Sequence, residues 1–260
     1  MKHSIITLAL FCTALFIPLN GYAELGGQIL SKDDASARFL KAATFYEEGK
    51  YQNASQEFEA LIAYGFESGD IHYNLGNSKL RSGKLGEAIG SYLQAKRYLP
   101  RDGDLRANLK FARQSAKDDL PEWKPAILET VFFWHRGLSP EELGLGLLIF
   151  NAAFWLTWLL RLYRRQTEWL TWLQRSCLLA LIALGSSFVL RTVVPEKRAV
   201  VLPVEVSIHA STQEKSTVLF KLHEGAELSV VDQNQDWVRV SLPDNKQGWV
   251  AARHVLVVSL

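Results

Sequence analysis

Cysteine is scarce in this sequence of 260 residues: Cys12 and Cys177 are the only two, and both lie in apolar stretches. A framework of disulfides is therefore excluded. A cysteine nucleophile is not expected either, because a thiol in such a stretch would meet lipid or the export machinery rather than a dissolved substrate.

An excess of charge of one sign is also lacking. The chain has 29 Lys and Arg against 27 Asp and Glu, which gives a formal net charge of +2. Neither residues 24–121 nor residues 195–260 are biased toward one sign. Proteins that bind nucleic acid concentrate basic residues on one face. Nucleic acid is therefore not expected among the partners.

Sequence motifs with known catalytic mechanics are missing as well. There is no H-E-x-x-H, no G-x-S-x-G and no phosphate-binding loop. The histidines are scattered over the chain without the spacing of metal ligands. We therefore expect no catalytic residues, no enzyme activity, no cofactor and no metal site, which leaves binding as the class of function to examine.

What the sequence does have is a strong segregation of apolar residues, beginning with residues 1–23. A short basic start precedes the apolar segment Ile5–Leu19, and Gly21-Tyr22-Ala23 places small residues at the positions that a signal peptidase reads. These features predict a secretory signal peptide and export of the chain. An uncleaved anchor helix is the alternative.

Two later apolar runs predict transmembrane helices at about residues 143–162 and 170–192. The first begins at Ser139-Pro140, which is a favourable N-cap followed by proline at the first helical position. Leu143–Leu160 has no charged residue, and about 20 such residues cross a bilayer. The second run contains Arg175, whose long side chain would reach the membrane surface. A buried core hairpin is the alternative.

The charges between the two runs predict the orientation in the membrane. The connection between the runs contains four basic residues, Arg161, Arg164, Arg165 and Arg175, and one acidic residue, Glu168. An excess of basic residues is typical of cytoplasmic loops. Both soluble parts would then be periplasmic, on a multi-pass protein of the bacterial inner membrane that also contacts membrane lipid. The intervening residues 122–138 are expected to form an interfacial amphipathic helix or a linker.

Residues 24–121 repeat themselves at a period of 34 residues. Gly49-Lys50-Tyr51 returns as Gly83-Lys84-Leu85, and Phe58 returns as Tyr92. Further matches are Ala54 with Ala88 and Asn74-Leu75 with Asn108-Leu109. A period of this length is typical of arrays of paired helices.

This stretch resembles the tetratricopeptide repeat family over about Ala35–Pro100, with Asp102–Lys117 as a closing helix. The second copy carries the family's positions most completely: Leu75, Gly76, Gly83, Ala88, Tyr92, Ala95 and Pro100. The first copy departs from the family, with Ala42 in place of the helix glycine and Phe66 in place of the proline.

The resemblance implies a concave groove, lined by the first helix of each repeat, that binds extended peptides of a protein partner. The matching positions are Tyr73, Asn74, Asn77, Arg81 and Asn108. An asparagine amide donates and accepts hydrogen bonds at once, which suits it to a peptide backbone. The alternative is that these are only exposed helix residues.

Residues 195–260 alternate apolar and polar side chains between turn-forming groups such as Pro243-Asp244-Asn245. This pattern predicts a small all-β barrel. The segment resembles bacterial SH3-like domains, most specifically in Asp236-Trp237-Val238-Arg239-Val240 and Gly248-Trp249-Val250. That resemblance implies binding of cell-wall peptides or of protein partners.

Candidate groove residues in this domain are Trp237, Trp249 and His254. Packing of the tryptophans inside the barrel is the preferred alternative, because a small barrel needs large aromatic side chains in its core.

The sequence therefore predicts a multidomain membrane protein: an α-helical tetratricopeptide array, a two-helix transmembrane hairpin and a small all-β SH3-like barrel. This order resembles the BatE proteins of the aerotolerance operon. The resemblance implies a non-catalytic membrane-anchored scaffold in a stress-tolerance complex with von Willebrand factor A-type membrane proteins and a MoxR-class ATPase. A cell-wall anchor or sensor whose barrel binds peptidoglycan is the alternative.

Overall fold

The computed structural model of the protein describes residues 30–121, 132, 134–164, 167–193, 195–213 and 215–260. The predicted signal peptide and most of the predicted interfacial segment lie outside the described residues.

Five helices form the N-terminal part, called here the helical array: α1 (Lys32–Glu47), α2 (Tyr51–Ala63), α3 (Gly69–Arg81), α4 (Leu85–Tyr98) and α5 (Gly103–Ser115). Side chains of Ser31, Ser68 and Asp102 accept hydrogen bonds from backbone N–H groups in the first turns of α1, α3 and α5. Such caps satisfy N–H groups that have no partner within the helix. The predicted pairing of helices at a 34-residue period is confirmed, whereas membership in the tetratricopeptide family stays a prediction.

The turns inside the two helix pairs depend on glycine. Gly49 and Gly83 follow α1 and α3 with φ angles of 76° and 82°, a left-handed conformation that glycine adopts without strain. Each turn brings the second helix of the pair back along the first. The packing then differs: a Cβ at Gly76 would lie 2.6 Å from the Tyr92 ring, whereas Ala42 is fully buried at the equivalent position of the first pair.

A helical hairpin follows the array. The short α6 (Trp134–Gly137) precedes α7 (Pro140–Tyr163) and α8 (Glu168–Val193), and Ser139 and Glu142 form a reciprocal capping box at the start of α7. Both long helices are apolar and long enough to cross a membrane, and only 17% of the most apolar window of each is buried. The predicted spans lie within their bounds. A hairpin in a protein core would bury most of these side chains instead.

The C-terminal domain is an antiparallel sheet of seven strands: β1 (Lys197–Val201), β2 (Glu205–His209), β3 (Val218–His223), β4 (Glu227–Gln233), β5 (Trp237–Ser241), β6 (Gln247–Ala251) and β7 (Val255–Ser259). Their spatial order is β3-β2-β6-β5-β4-β1-β7. Small aliphatic side chains, including Ile208, Leu228, Val238, Val240 and Val250, fill the core of this sheet.

The helical array and the C-terminal domain share a second hydrophobic core. Val200 of β1 and Val258 of β7 are buried together with Ile89 and Leu93 of α4. Because one core contains residues from both parts, the array and the C-terminal domain form a single packed unit at one end of the hairpin.

Two glycines of α4 permit this close packing. A Cβ at Gly86 would overlap the carbonyl oxygen of Val201, and one at Gly90 would overlap the Leu256 side chain. Glycine in a helix interior lowers helix stability, so the approach of β1 and β7 explains why both positions lack a side chain.

One ion pair and two hydrogen bonds from backbone N–H groups to carboxylates complete the junction between the two parts. Nε and Nη2 of Arg113 donate to the two carboxylate oxygens of Glu227, at 2.5 and 2.8 Å. The Glu224 carboxylate accepts from the Gly86 N–H at 3.0 Å, and Asp118 accepts from the His223 N–H at 2.6 Å. Charged hydrogen bonds of this kind fix orientation as well as distance.

Candidate binding surfaces

Three of the five predicted groove residues meet in one polar cluster between α3 and α5. The Asn108 amide nitrogen donates to the Tyr73 hydroxyl at 3.0 Å and to Oδ1 of Asn77 at 2.9 Å. The same Oδ1 accepts from the Tyr92 hydroxyl at 2.8 Å. Tyr73, Asn77 and Asn108 are half-buried. The cluster is therefore held by the packed helices and is still partly accessible to a ligand.

The fixed orientation of this cluster determines what it offers a ligand. The Tyr73 hydroxyl oxygen already accepts a hydrogen bond, so its proton points away from Asn108. The Asn108 amide nitrogen makes both of these hydrogen bonds, which leaves Oδ1 of Asn108 to accept one from a ligand. One donor and one acceptor held side by side match the C=O and N–H of an extended peptide.

The other two predicted groove residues make contacts elsewhere. The Asn74 amide donates to the Asp70 carbonyl of its own helix at 2.9 Å. Arg81 donates to the Tyr51 hydroxyl at 2.9 Å, and its guanidinium lies 5.2 Å from the centroid of that ring. The Asn74 side chain therefore bonds within its own helix α3 and Arg81 links α3 to α2, so neither belongs to the polar cluster of Tyr73, Asn77 and Asn108.

Tyr92 is the member of the cluster that the sequence prediction did not include. Burial raises the pKa of its hydroxyl, and the neighbouring Tyr73 and Tyr46 add to the effect. Tyr92 therefore remains a neutral donor to Asn77. In the sequence, only its position opposite Gly76 in the repeat pattern drew attention to Tyr92. That position indicated packing of the ring and not a hydrogen bond to Asn77.

The expectation that Trp237 and Trp249 pack inside the C-terminal domain is wrong. Their strand neighbours Val238, Val240 and Val250 are fully buried, and successive side chains of a strand point to opposite faces. The two tryptophans are consequently half-buried on the outer face of the sheet.

The outer face carries an aromatic cluster with one cation, called here the aromatic face. Trp249 lies opposite His209 on one side and opposite Arg239 on the other. The rings of His209 and Trp237 meet edge to face, with centroids 5.7 Å apart. Flat aromatic surfaces beside a cation suit peptide or sugar ligands.

His209 was not among the predicted groove residues. The third predicted residue, His254, lies in the short 3-10 helix Ala252–His254 between β6 and β7. Its carbonyl accepts from the Leu202 N–H at 3.0 Å, which places its backbone at the β1 end of the sheet.

Buried charge within the array serves packing. Lys79 is 6% exposed and contacts Glu59 and Glu87 at 2.5 and 2.6 Å, which ties α2, α3 and α4 together. Within the described ranges, no group of three or more His, Cys, Asp and Glu side chains is arranged to bind a metal ion. The chemistry that these surfaces offer is hydrogen bonding and aromatic contact.

Comparison with known families identifies one segment of the chain. The family described as bacterial SH3 domain matches residues 205–255, which include β2 to β6 and the aromatic face. A search of curated proteins finds no match to the chain. β1 lies outside the matched segment and β7 begins at its last residue, so the two strands that pack on α4 flank the SH3-like part.

Proposed function

We propose that the protein is a non-catalytic, membrane-anchored scaffold that binds protein partners through its helical array. The observation that carries this proposal is the shared core of α4, β1 and β7, because it joins two binding surfaces into one rigid unit. A rigid unit presents its surfaces at fixed spacing, which lowers the entropy cost of binding a partner.

The anchor is the hairpin of α7 and α8. The beginning of α7 and the end of α8 lie close together, next to the array. Arg191 of α8 donates to the Leu138 carbonyl just before α7, at 3.1 Å, and Arg101 of the array pairs with Glu142 of α7. A single packed unit requires its two parts on the same side of a membrane, which an even number of spans provides. Together with the predicted leader and the basic loop, this supports an inner-membrane protein with periplasmic array and C-terminal domain.

The partner class follows from the resemblance of the array to tetratricopeptide repeats and of the whole order to BatE proteins. On that basis the partners are membrane proteins with von Willebrand factor A domains, in a stress-tolerance complex that includes a MoxR-class ATPase. The donor and acceptor of Tyr73 and Asn108 would then grip an extended segment of the partner.

The test is crosslinking in cells with a photoreactive residue at Asp104, an exposed position one turn before Asn108 on α5, followed by mass spectrometry. A von Willebrand factor A-type membrane protein should be captured, and Tyr73→Phe combined with Asn108→Ala should abolish capture. The matched control is Asn53→Ala on the exposed face of α2, which should leave capture intact. Capture that survives the double substitution would remove the groove assignment.

Peptidoglycan binding by the C-terminal domain is the second candidate, favoured by the bacterial SH3 match and by the aromatic face. The full chain in detergent, with Trp237→Ala and Trp249→Ala, would be sedimented with isolated cell walls. Loss of sedimentation, with unchanged sedimentation of the control Val204→Ala, would favour a wall anchor. Val204 is suitable because it is 79% exposed and outside the aromatic face.

The proposed orientation is tested by labelling single cysteines in intact cells, each introduced together with Cys177→Ser because Cys177 is a free thiol. Thr167→Cys in the hairpin loop should resist an impermeant thiol reagent, whereas Ser211→Cys in the exposed loop after β2 should react. Reaction at both positions would contradict the cytoplasmic loop.

A further inference from the structure

A cavity of about 550 Å³ lies at the junction of the helical array and the C-terminal domain. Five basic side chains line it: Lys96 of α4, Lys110 and Arg113 of α5, Arg136 of α6 and Arg198 of β1. The acidic residues of the lining are Asp118, Asp119 and Glu227. We call this the junction cavity. Its size is in the range of small-ligand sites.

The carboxylates at the junction cavity are already engaged. Glu227 binds Arg113 through both oxygens, and Asp118 binds the backbone and ring of His223. Just outside the lining, Glu196 pairs with both Arg136 and Arg198. These bonds fix the three arginines in place.

Unlike the three arginines, the two lysines of the lining are not held by carboxylates of the described residues. Among the residues that the structure describes, neither Lys96 nor Lys110 forms an ion pair. Of the acidic residues in the lining, only the exposed Asp119 is outside the pairs just given. The cavity therefore offers two ammonium groups beside three fixed guanidinium groups.

Positive charges outnumber negative ones around Lys96. Partial burial lowers the pKa of its ammonium group, and Arg113, Arg136 and Arg198 lower it further, against the opposing charge of Glu227. An anion in the cavity would relieve this crowding of like charges.

The position of the cavity indicates where such an anion would come from. Arg136 lies four residues before Pro140, the first residue of α7, and Arg198 lies five residues after Val193, the last residue of α8. In a membrane-spanning hairpin, this is the level of the phospholipid headgroups.

We propose that the junction cavity binds the phosphate headgroup of an anionic phospholipid, with Lys96 and Lys110 as its principal contacts. Lysine and arginine are the usual ligands of phosphate groups, and basic residues clustered next to a transmembrane helix attract anionic headgroups. The inference rests on the proposed membrane anchoring of the hairpin. It adds a specific lipid as a ligand at the joint between the two binding surfaces.

The test uses the full chain purified in detergent and reconstituted with phosphatidylglycerol or with phosphatidylcholine. Lipid that stays with the protein after exhaustive washing is measured by mass spectrometry. We expect retention of phosphatidylglycerol in preference to phosphatidylcholine, and a loss of roughly thirtyfold in the variant K96Q/K110Q. The control K32Q/K215Q changes the net charge equally at exposed positions away from the cavity and should retain lipid as the unchanged protein does.

Three outcomes would overturn the assignment. Equal retention by K96Q/K110Q and the unchanged protein would show that the lysines bind no headgroup. An equal loss in K32Q/K215Q would reduce the effect to net charge. Displacement of the lipid by millimolar inorganic phosphate would identify a site for free phosphate instead.

Alkaline extraction of cell membranes separates failure of this inference from failure of the proposed anchoring. A chain that stays in the membrane pellet but retains no phosphatidylglycerol would contradict the lipid site alone. A chain released into the supernatant would contradict the anchoring on which the site depends.

Discussion

The two helix pairs of the array begin from the same pattern and differ on their outer faces. Gln52, Gln56 and Glu59 of α2 are exposed. The residues 34 positions later on α4 are Gly86, Gly90 and Leu93, and all three are buried under β1 and β7.

The difference shows how one repeat becomes an interface while its neighbour stays an outer surface. A polar side chain on α2 keeps water around the helix, and loss of that side chain on α4 lets a strand approach the helix backbone. The substitution is costly for an isolated helix, so it persists only where a second element covers the position. Four predictions test this comparison.

The largest effect should come from Gly86→Val. The new side chain would meet the Val201 carbonyl, which belongs to the backbone and cannot rotate away, so the junction should be destabilised by about 3 kcal/mol. Thermal unfolding in detergent and hydrogen exchange of α4 and β1 would measure the loss. Gln52→Val, at the exposed equivalent on α2, should leave both unchanged. Equal stability of the two variants would refute the role of Gly86.

A smaller loss should follow Glu227→Gln, because the Arg113 guanidinium would keep only a neutral acceptor at a site where Glu227 is 9% exposed. We expect about 2 kcal/mol by denaturant unfolding. The exposed pair of Glu205 and Lys221, at 2.7 Å, provides the control: Glu205→Gln should not move the unfolding midpoint. A shift as large as that of Glu227→Gln would contradict the special position of the junction.

Gln56→Gly reverses the comparison by giving α2 the residue that α4 has at Gly90. No strand of the described residues covers α2 in compensation, so hydrogen exchange in α1 and α2 should accelerate by the equivalent of about 1 kcal/mol. Gln56→Ala, which retains helix propensity, should produce no acceleration. If Gln56→Gly were neutral, the glycines of α4 would need another explanation.

The smallest effect is a dependence of stability on pH. It concerns equivalent positions of α1 and α3, which are occupied by Arg38 and His72. His72 is 6% exposed and stacks on Tyr98. Burial lowers its pKa, assisted by Arg97 and opposed by Glu67. The folded form therefore stays neutral while the unfolded chain gains a proton below about pH 6.5, and stability falls as the pH falls through that value.

Between pH 7 and pH 6 the loss should be roughly 0.6 kcal/mol, measured by denaturant unfolding at each pH. His72→Phe should make this interval flat. The contribution of the Arg38–Glu57 ion pair to stability is lost at lower pH than that of His72. Although partial burial opposes it, contacts with Lys41 and Arg38 lower the pKa of Glu57, so that contribution is lost only as the carboxylate protonates. A slope that persists in His72→Phe would assign the pH dependence to another group.

Much of the local structure could be predicted from the sequence because it depends on neighbouring residues. The 34-residue period predicted the helix pairs, and Ser139-Pro140 predicted the start of α7. The aromatic face was predictable as well but was misread. Arg239 shares a strand face with Trp237, while Val238 and Val240 share the other, and a charged residue identifies the outer face.

The polar cluster and the junction depend on contacts between distant residues. Tyr73 and Asn108 were predicted from their repeat positions, yet the support of Asn77 by Tyr92 requires the packed array. Docking of the C-terminal domain is reflected in one feature of the sequence, the change from Gln52 and Gln56 in the first repeat to Gly86 and Gly90 in the second. That feature identifies the face of α4 that is covered, but not the strands that cover it.

The docking of β1 and β7 on α4 also determines an order of events during biosynthesis. In the proposed orientation, α4 reaches the periplasm before α7 and α8 have been inserted, and β1 emerges only after α8 has crossed back. Until then, in that orientation, the Gly86 and Gly90 face of α4 would be open to periplasmic proteases. A chain whose second helix failed to insert would leave its C-terminal domain in the cytoplasm and this face permanently uncovered. In the proposed orientation, completion of the junction would therefore require correct membrane topology, and degradation of chains that lack it would remove misinserted copies.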